Sequence, residues 1–153
     1  MTILMADDDK DDCRLSQEAL NDSRLLNEMR FVYDGEELMD YLRGRGEYGD
    51  GGRDAPEPGI ILLDLNMPKM DGREALAEIK ADPNLRSIPV VVLTTSKAEE
   101  DILRSYDLGA NSFITKPVTF AGLVDVMQGL SKYWFEIVAL PIDVPGRANG
   151  DGT

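Results

Sequence analysis

A chain of 153 residues can bury one hydrophobic core without disulfides, and 42% hydrophobic residues are too many for a disordered chain. The formal net charge of −13 argues against a nucleic-acid-binding surface, and the lack of histidine excludes a histidine-based catalytic dyad or zinc site. Cys13 alone gives no disulfide framework, and no apolar segment reaches the length of a membrane span. We therefore expect a cytoplasmic protein that binds neither nucleic acid nor membrane.

The first two predicted strands each lead into a helix. Residues 2–6 form an apolar run that ends at three consecutive acids, and a helical pattern continues to about residue 24. Residues 29–33 predict the second strand. The spacing of Asp34 and Glu37 is a capping box that starts the second helix.

The central strand follows a glycine-rich stretch. Residues 44–59 hold six glycines and two prolines, which fit neither the helical nor the strand period, and predict a long mobile loop without a site. Residues 60–63 are all apolar, which indicates a strand buried on both faces, as in a parallel sheet. Asp64 then lies at a C-terminal strand end, where open α/β sheets place their chemistry, or it caps the next turn.

The remaining chain repeats the alternation. A capping box at Asp71 starts the third helix, and residues 88–94 are a continuous β-branched run that predicts a strand. The fourth helical pattern covers residues 96–109, residues 111–115 predict the last strand, and the fifth helix starts at Thr119. Five strands alternating with five helices predict an α/β protein with one parallel sheet.

Polar side chains collect at one edge of this predicted sheet. The carboxylates and the hydroxyl and amine that follow the strands are Asp7, Asp8, Asp64, Thr94 and Lys116. Carboxylates held close together repel one another and call for a cation, and carboxylate oxygens suit Mg²⁺. A phosphoryl group at Asp64 would be neutralised by the metal on one side and by Lys116 on the other, so the sequence indicates phosphoryl transfer to a carboxylate.

The ordered segments ADDD, LLDLNMPKMDG, VVLTTS and ITKP resemble the receiver domain of two-component response regulators. The resemblance covers Met1 to about Trp134. It implies a flavodoxin-like fold, a three-layer αβα sandwich whose five-stranded parallel sheet has the order 2-1-3-4-5 and carries five helices.

The resemblance also implies roles for individual residues. Asp64 would accept the phosphoryl group, Asp8 would bind one Mg²⁺ directly, and Asp7 would help through water. The main-chain carbonyl of Asn66 would be a further metal ligand, and Thr94 and Lys116 would hydrogen-bond to the phosphoryl oxygens. Thr94 and Phe113 would act together as a switch. The peptide bond before Pro117 would be cis.

Within that family the chain is similar to single-domain response regulators that partner phytochrome-type histidine kinases. We then expect no enzymatic activity beyond its own phosphorylation and dephosphorylation, a receiver domain over residues 1–140 and a disordered tail over residues 141–153. The output surface would be formed by the fourth helix, the last strand and the fifth helix. An apolar segment near the C-terminus predicts a homodimer through that surface, and its residues are Tyr133, Trp134, Phe135, Ile137, Val138 and Leu140.

Several alternatives stay open at this point. Phe113 fits an ordinary strand-end aromatic equally well. The acids from Asp7 to Glu18 partly match a calcium-loop template, although Asp12 stands where that loop needs glycine. A phosphatase of the haloacid-dehalogenase type also places an aspartate at a strand end, but it needs a second aspartate where this chain has Asn66. A pseudo-receiver that never takes phosphate is the third alternative.

Overall fold

A computed structural model describes residues 2–22, 28–94, 98–100, 112–117 and 119–133. Five strands form one sheet in the order β2-β1-β3-β4-β5, and every neighbouring pair is parallel. The strands are β1 (Thr2–Ala6), β2 (Glu28–Val32), β3 (Ile60–Asp64), β4 (Val90–Thr94) and β5 (Ser112–Thr115). The predicted sheet, its order and its parallel pairing are confirmed.

The helices follow the strands as the capping patterns indicate. They are α1 (Lys10–Asp22), α2 (Gly35–Arg43), a 3-10 turn (Gly46–Tyr48), α3 (Gly72–Ala81) and the C-terminal helix (Phe120–Tyr133). The carboxylate of Asp34 accepts a hydrogen bond from the backbone N–H of Glu37 at 2.7 Å, and Asp71 does the same for Glu74 at 3.0 Å. Residues 98–100 are helical, and the rest of the predicted fourth helix lies outside the described residues.

The sheet is buried on both faces because its strands are continuous apolar runs. Every residue of β3 and β4 is buried, as the lack of alternation predicts. On one face, apolar residues of β1, β3 and β4 join residues of α2 and α3 in a single core cluster. Gly72 lies so close to the end of β3 that an added Cβ would stand 2.6 Å from the carbonyl oxygen of Asp64, so α3 starts directly against the strand that carries the central acid.

Residues 44–59 make more contacts than their composition indicates, while their mobility stays a prediction. Gly46–Tyr48 form a 3-10 turn, and Tyr48 is buried and donates a hydrogen bond to a carboxylate oxygen of Glu37 at 2.6 Å. The hydroxyl of Tyr41 donates to the carbonyl oxygen of Pro56 at 2.7 Å, and the guanidinium of Arg53 lies 5.2 Å from the ring centroid of Tyr48. Aromatic side chains therefore fix a stretch whose composition is typical of a flexible loop.

By its contacts the chain divides into two compact units. One consists of Met1–Arg14 and Leu26–Lys116, and the other of Leu15–Leu25 and Pro117–Thr153. In the part of the chain that the structure describes, no helix is long and apolar enough to cross a bilayer.

The predictions for the C-terminal segment lie outside the described residues. They concern the end of the 1–140 domain, the tail of residues 141–153 and the side chains of the expected dimer interface.

Candidate functional site

Parallel pairing brings the predicted site residues to one edge of the sheet. Asp7 follows β1, Asp64 ends β3, Thr94 ends β4 and Lys116 follows β5. In a parallel sheet all C-terminal strand ends meet at the same edge, so residues up to 109 positions apart come together. The site lies within the first compact unit.

Three carboxylates form the centre of this edge. Asp7, Asp8 and Asp64 each offer one oxygen, and these oxygens all lie within 4.8 Å of one another. Asp7 is completely buried and Asp64 is 6% exposed, whereas Asp8 is exposed. Backbone N–H groups orient the two buried acids, since Asp9 donates to Asp7 and Asn66 donates to Asp64, both at 2.9 Å.

Burial makes the ionised form of Asp7 costly. It raises the pKa of the Asp7 carboxyl to about 6, against the opposing effect of a hydrogen bond from Lys116, and the nearby charge of Asp64 raises the pKa further. A cation that binds next to the ionised carboxylate would remove this destabilisation.

The ammonium group of Lys116 is the cation that the described residues supply to these acids. Its Nζ lies 2.7 Å from Asp7, 3.1 Å from Asp12 and 3.2 Å from Asp64. Burial alone would lower the pKa of Lys116, but the hydrogen bond to Asp7 and the charges of Asp7 and Asp64 outweigh it, so the pKa is raised. Lys116 therefore stays protonated, and one positive charge is shared among several negative ones.

The acid set fits a hard divalent cation. The oxygens of Asp7, Asp8 and Asp64 lie within 4.8 Å of one another, close enough to share one ion, and carboxylate oxygens are the ligand type that Mg²⁺ and Mn²⁺ take in proteins. Asp8, being exposed, could reach the ion directly. The main-chain carbonyl of Asn66 as a further ligand stays a prediction.

Thr94 and Phe113 lie on the neighbouring strands β4 and β5. The Thr94 side chain is fully buried, and its hydroxyl donates to the carbonyl oxygen of Ile114 at 3.4 Å and lies 3.3 Å from the hydroxyl of Thr115. Phe113 is 8% exposed and belongs to the core cluster. The role of Thr94 and Phe113 as a switch pair stays a prediction.

The peptide bond before Pro117 is not cis. Among the described residues every peptide bond is trans, so the predicted cis bond is wrong for this structure. An X–Pro bond prefers trans by only about 0.5–1 kcal/mol, and the residue type alone does not decide the isomer. Lys116 reaches the acids with the trans bond.

The calcium-loop alternative is also wrong. Asp11 and Glu18 lie within α1, so the segment is a helix and not a loop that wraps an ion. The carboxylate of Asp9 accepts hydrogen bonds from the backbone N–H groups of Asp11 at 2.9 Å and Asp12 at 3.2 Å. The acids of the template are therefore partly used to start the helix.

Sequence reasoning missed three polar residues at this edge. Asp12 contacts Lys116, and the carboxylate of Glu100, which is buried, accepts a hydrogen bond from the hydroxyl of Thr115 at 3.1 Å. A polar residue in the last strand just before the lysine was the available signal for Thr115. Asp12 and Glu100 had none, because both stand in helical segments whose acids usually face water.

Known proteins share this fold and its motifs. Residues 3–128 match the family described as the response regulator receiver domain. The chain is 47% identical over 139 residues to the response regulator Rcp1 of Synechocystis sp., a match that covers 91% of this chain and 92% of that protein.

Two crystal structures are similar to this one. The phosphorylated cyanobacterial phytochrome response regulator RcpA is 50% identical with a TM-score of 0.74, over 88% of this chain and 94% of that chain. The Mn²⁺-bound form of Rcp1 is 46% identical with a TM-score of 0.74, over 90% of this chain and 96% of that chain. With the flavodoxin-like sheet and the matched motifs, these similarities show that the chain belongs to the response regulator receiver domain family.

Proposed function

We propose that this chain accepts a phosphoryl group on Asp64 from the phosphohistidine of a sensor histidine kinase. The observation that carries the proposal is the setting of Asp64, a nearly buried carboxylate at a strand end between an acid pair and the ammonium of Lys116 at 3.2 Å. A carboxylate whose only role was to contact solvent would not be expected beside two other acids and a lysine ammonium. The phosphatase alternative loses its support, because the family is that of receivers and the second aspartate is absent.

The reaction is an in-line displacement at phosphorus. A carboxylate oxygen of Asp64 forms a bond to phosphorus while the bond from phosphorus to the imidazole nitrogen breaks, and the imidazole leaves with the bonding electron pair. The product is an acyl phosphate that water later hydrolyses, so the chain catalyses only its own phosphorylation and dephosphorylation.

Each neighbour of Asp64 has a role in this proposal. A bound Mg²⁺, held by Asp7, Asp8 and Asp64, would supply positive charge to the phosphoryl oxygens. Lys116 donates a hydrogen bond to a second oxygen, which replaces its present bond to Asp64. The hydroxyl of Thr94 turns to a third oxygen and gives up its contacts with β5.

The response to phosphate is a shift between two conformations. The hydroxyl of Thr94 contacts β5, and Phe113 lies on β5. Movement of the Thr94 hydroxyl would therefore change the packing next to the predicted output surface, which is formed by the fourth helix, the last strand and the fifth helix.

The partner kinase is proposed from the relatives. RcpA, which is 50% identical, is described as a phytochrome response regulator, and we propose a phytochrome-type histidine kinase for this chain too. The test is transfer from a phosphorylated phytochrome kinase in competition with unrelated kinases. Equal rates from all donors would contradict the proposal.

We also propose that the chain forms a homodimer through the apolar segment from Tyr133 to Leu140. The support is the sequence of that segment, which exceeds the apolar content of a solvated helix end. Sedimentation at high concentration, with and without phosphorylation, should show a dimer that Trp134→Glu weakens. A monomer under both conditions would contradict the proposal.

Phosphorylation itself is tested by mass. The native chain is incubated with acetyl phosphate and Mg²⁺, and its intact mass is compared with those of Asp64→Asn and of Asp50→Asn, a control at an exposed loop position. We expect the native chain and the control to gain one phosphoryl group and Asp64→Asn to gain none. A gain in Asp64→Asn would place the acceptor elsewhere, and no gain in the native chain would favour the pseudo-receiver.

A further inference from the structure

We infer that Asp12 is a positioning residue of the phosphoryl-accepting site and acts by holding the ammonium group of Lys116. This inference rests on the proposed function of Asp64. The carboxylate of Asp12 lies 3.1 Å from Lys116 Nζ, as close as that of Asp64 at 3.2 Å, although the two residues are 104 positions apart in the sequence.

The fold anchors both partners of this contact. Asp12 lies in the first turn of α1, where its backbone N–H donates to the carboxylate of Asp9 at 3.2 Å, so a capped helix turn carries its side chain. The backbone N–H of Lys116 donates to the carbonyl oxygen of Thr94 at 2.8 Å, which fixes the start of the lysine side chain next to β4. The contact therefore joins two ordered backbone segments.

The three contacts of Lys116 match its three donors. A lysine ammonium has three N–H groups, and Asp7, Asp12 and Asp64 each lie within hydrogen-bonding distance of Nζ at 2.7, 3.1 and 3.2 Å. With three acceptors in place the ammonium is held from three directions. Removing one acceptor leaves the ammonium with two of these three restraints and one unpaired N–H.

Asp12 differs from the other two acceptors in its place in the reaction. Asp64 becomes the acyl phosphate, and Asp7 belongs to the acid set that can hold a cation, whereas Asp12 does not. Its carboxylate is thus the acceptor that keeps its bond to Lys116 while the bond to Asp64 is exchanged for one to a phosphoryl oxygen. Asp12 keeps the ammonium at the site during that exchange.

The expected size of the effect follows from exposure. The side chains of Asp12 and Lys116 are 39% and 24% exposed, so water screens the pair, and we expect Asp12→Ala to slow phosphorylation about three- to fivefold. A repulsive role would give the opposite sign, because removing a negative charge would then speed the approach of an anionic phosphoryl donor.

The experiment compares variants at neighbouring positions. Asp12→Ala removes both charge and acceptor, and Asp12→Asn keeps an acceptor oxygen. Asp11→Asn removes the same charge from the same helical turn, at a side chain that is 83% exposed and pairs with Arg14 at 3.6 Å. The rate constant with acetyl phosphate at saturating Mg²⁺, the Mg²⁺ dissociation constant by calorimetry, and the exchange of the Lys116 ammonium protons by NMR are measured for each.

We expect Asp12→Ala to lower the rate constant and to speed the exchange of the ammonium protons, without a change in Mg²⁺ affinity. Asp12→Asn should recover part of the rate and part of the slow exchange. Asp11→Asn should match the native chain. A native rate and native exchange in Asp12→Ala, or faster phosphorylation, would overturn the inference. If Asp12→Ala does not fold, the comparison of rate and ammonium exchange between Asp12→Asn and Asp11→Asn tests the inference. No phosphorylation of the native chain would count against the proposed function, while ammonium exchange would still decide whether Asp12 holds Lys116.

Discussion

At the acidic edge the ammonium of Lys116 faces three carboxylates, whereas beside the loop of residues 44–59 the carboxylate of Glu37, which lies on α2, receives several donors. Glu37 accepts hydrogen bonds from the backbone N–H of Tyr33 at 2.9 Å and from the hydroxyl of Tyr48 at 2.6 Å, and its charge lies 3.7 Å from Arg53. Among the described residues, those at the edge carry more negative charge than they neutralise. The charge of Glu37 is met by the hydroxyl of Tyr48 and by Arg53.

The difference separates a site from a structural network. Buried charge that the protein leaves uncompensated costs stability and is retained where a ligand completes it, so the edge suits a cation and a phosphoryl group. Buried charge that is fully paired holds the fold together and offers little to a ligand. Neutralising a buried acid at the edge should therefore stabilise the protein, whereas removing the carboxylate of Glu37 should destabilise it.

Glu37→Ala should give the largest change. It leaves the buried hydroxyl of Tyr48 and the N–H of Tyr33 without their charged acceptor, and we expect a loss of about 3 kcal/mol in the free energy of unfolding. Urea denaturation measures it, with Glu36→Ala, at an exposed position on the same helix turn, as the control. A loss as small as that of the control would mean that the loop network does not hold the fold.

Asp7→Asn should change stability in the opposite direction. Burial raises the pKa of Asp7 from 3.8 to about 6, so the folded state holds this proton more tightly than the unfolded state does. The native chain then loses stability as the pH rises from about 4 through 6, and Asn avoids that loss. At pH 7 without divalent cations we expect the variant to be about 2–3 kcal/mol more stable, and the difference should vanish below pH 4.

Denaturation at both pH values tests this prediction, with Asp11→Asn, at a side chain that is 83% exposed and outside the acid set, as the control. Saturating Mg²⁺ should remove the advantage of the variant, because the ion stabilises only the chain that keeps its acids. A variant less stable than the native chain at pH 7 would show that Lys116 already compensates Asp7 in full.

Tyr48→Phe should give the smallest of the three changes. It removes one hydrogen bond to Glu37 and keeps the ring, which lies 5.0 Å from the ring of Tyr41, so we expect a loss of about 1 kcal/mol. Tyr41→Phe removes a bond to a neutral carbonyl oxygen and serves as the comparison. A larger loss for Tyr41 than for Tyr48 would contradict the view that the charge of Glu37 organises this loop.

The sheet and the centre of the site were predictable because both depend on local patterns. Unbroken apolar runs predict buried parallel strands, and parallel strands bring their C-terminal ends to one edge, which is why Asp64 and Lys116 were placed together. Strand ends were less exact: β4 begins at Val90 and not at residue 88. Pro89 has no N–H to give to the sheet, although its carbonyl oxygen accepts from Ile61 at 2.9 Å.

The contacts that were missed connect distant residues through side chains. Asp12 meets Lys116 across 104 positions, and no periodicity of α1 predicts a partner on another element. The conformation of residues 44–59 depends on the hydrogen bond between Tyr48 and Glu37, which is 11 positions away. The local composition favours only turns. The isomer before Pro117 was predicted from the resemblance and not from the residues, and it was the part of the site description that failed.

The hydrogen bond from the backbone of Lys116 to Thr94 has a consequence for protein engineering. It ties the backbones of these two residues to one rung between adjacent strands, so strand pairing sets the positions from which the amine and hydroxyl side chains extend. Inserting or deleting one residue within β5 would turn Lys116 to the opposite face of the sheet while every site residue kept its identity. Chimeras that exchange the C-terminal part of the chain should therefore be joined after Pro117.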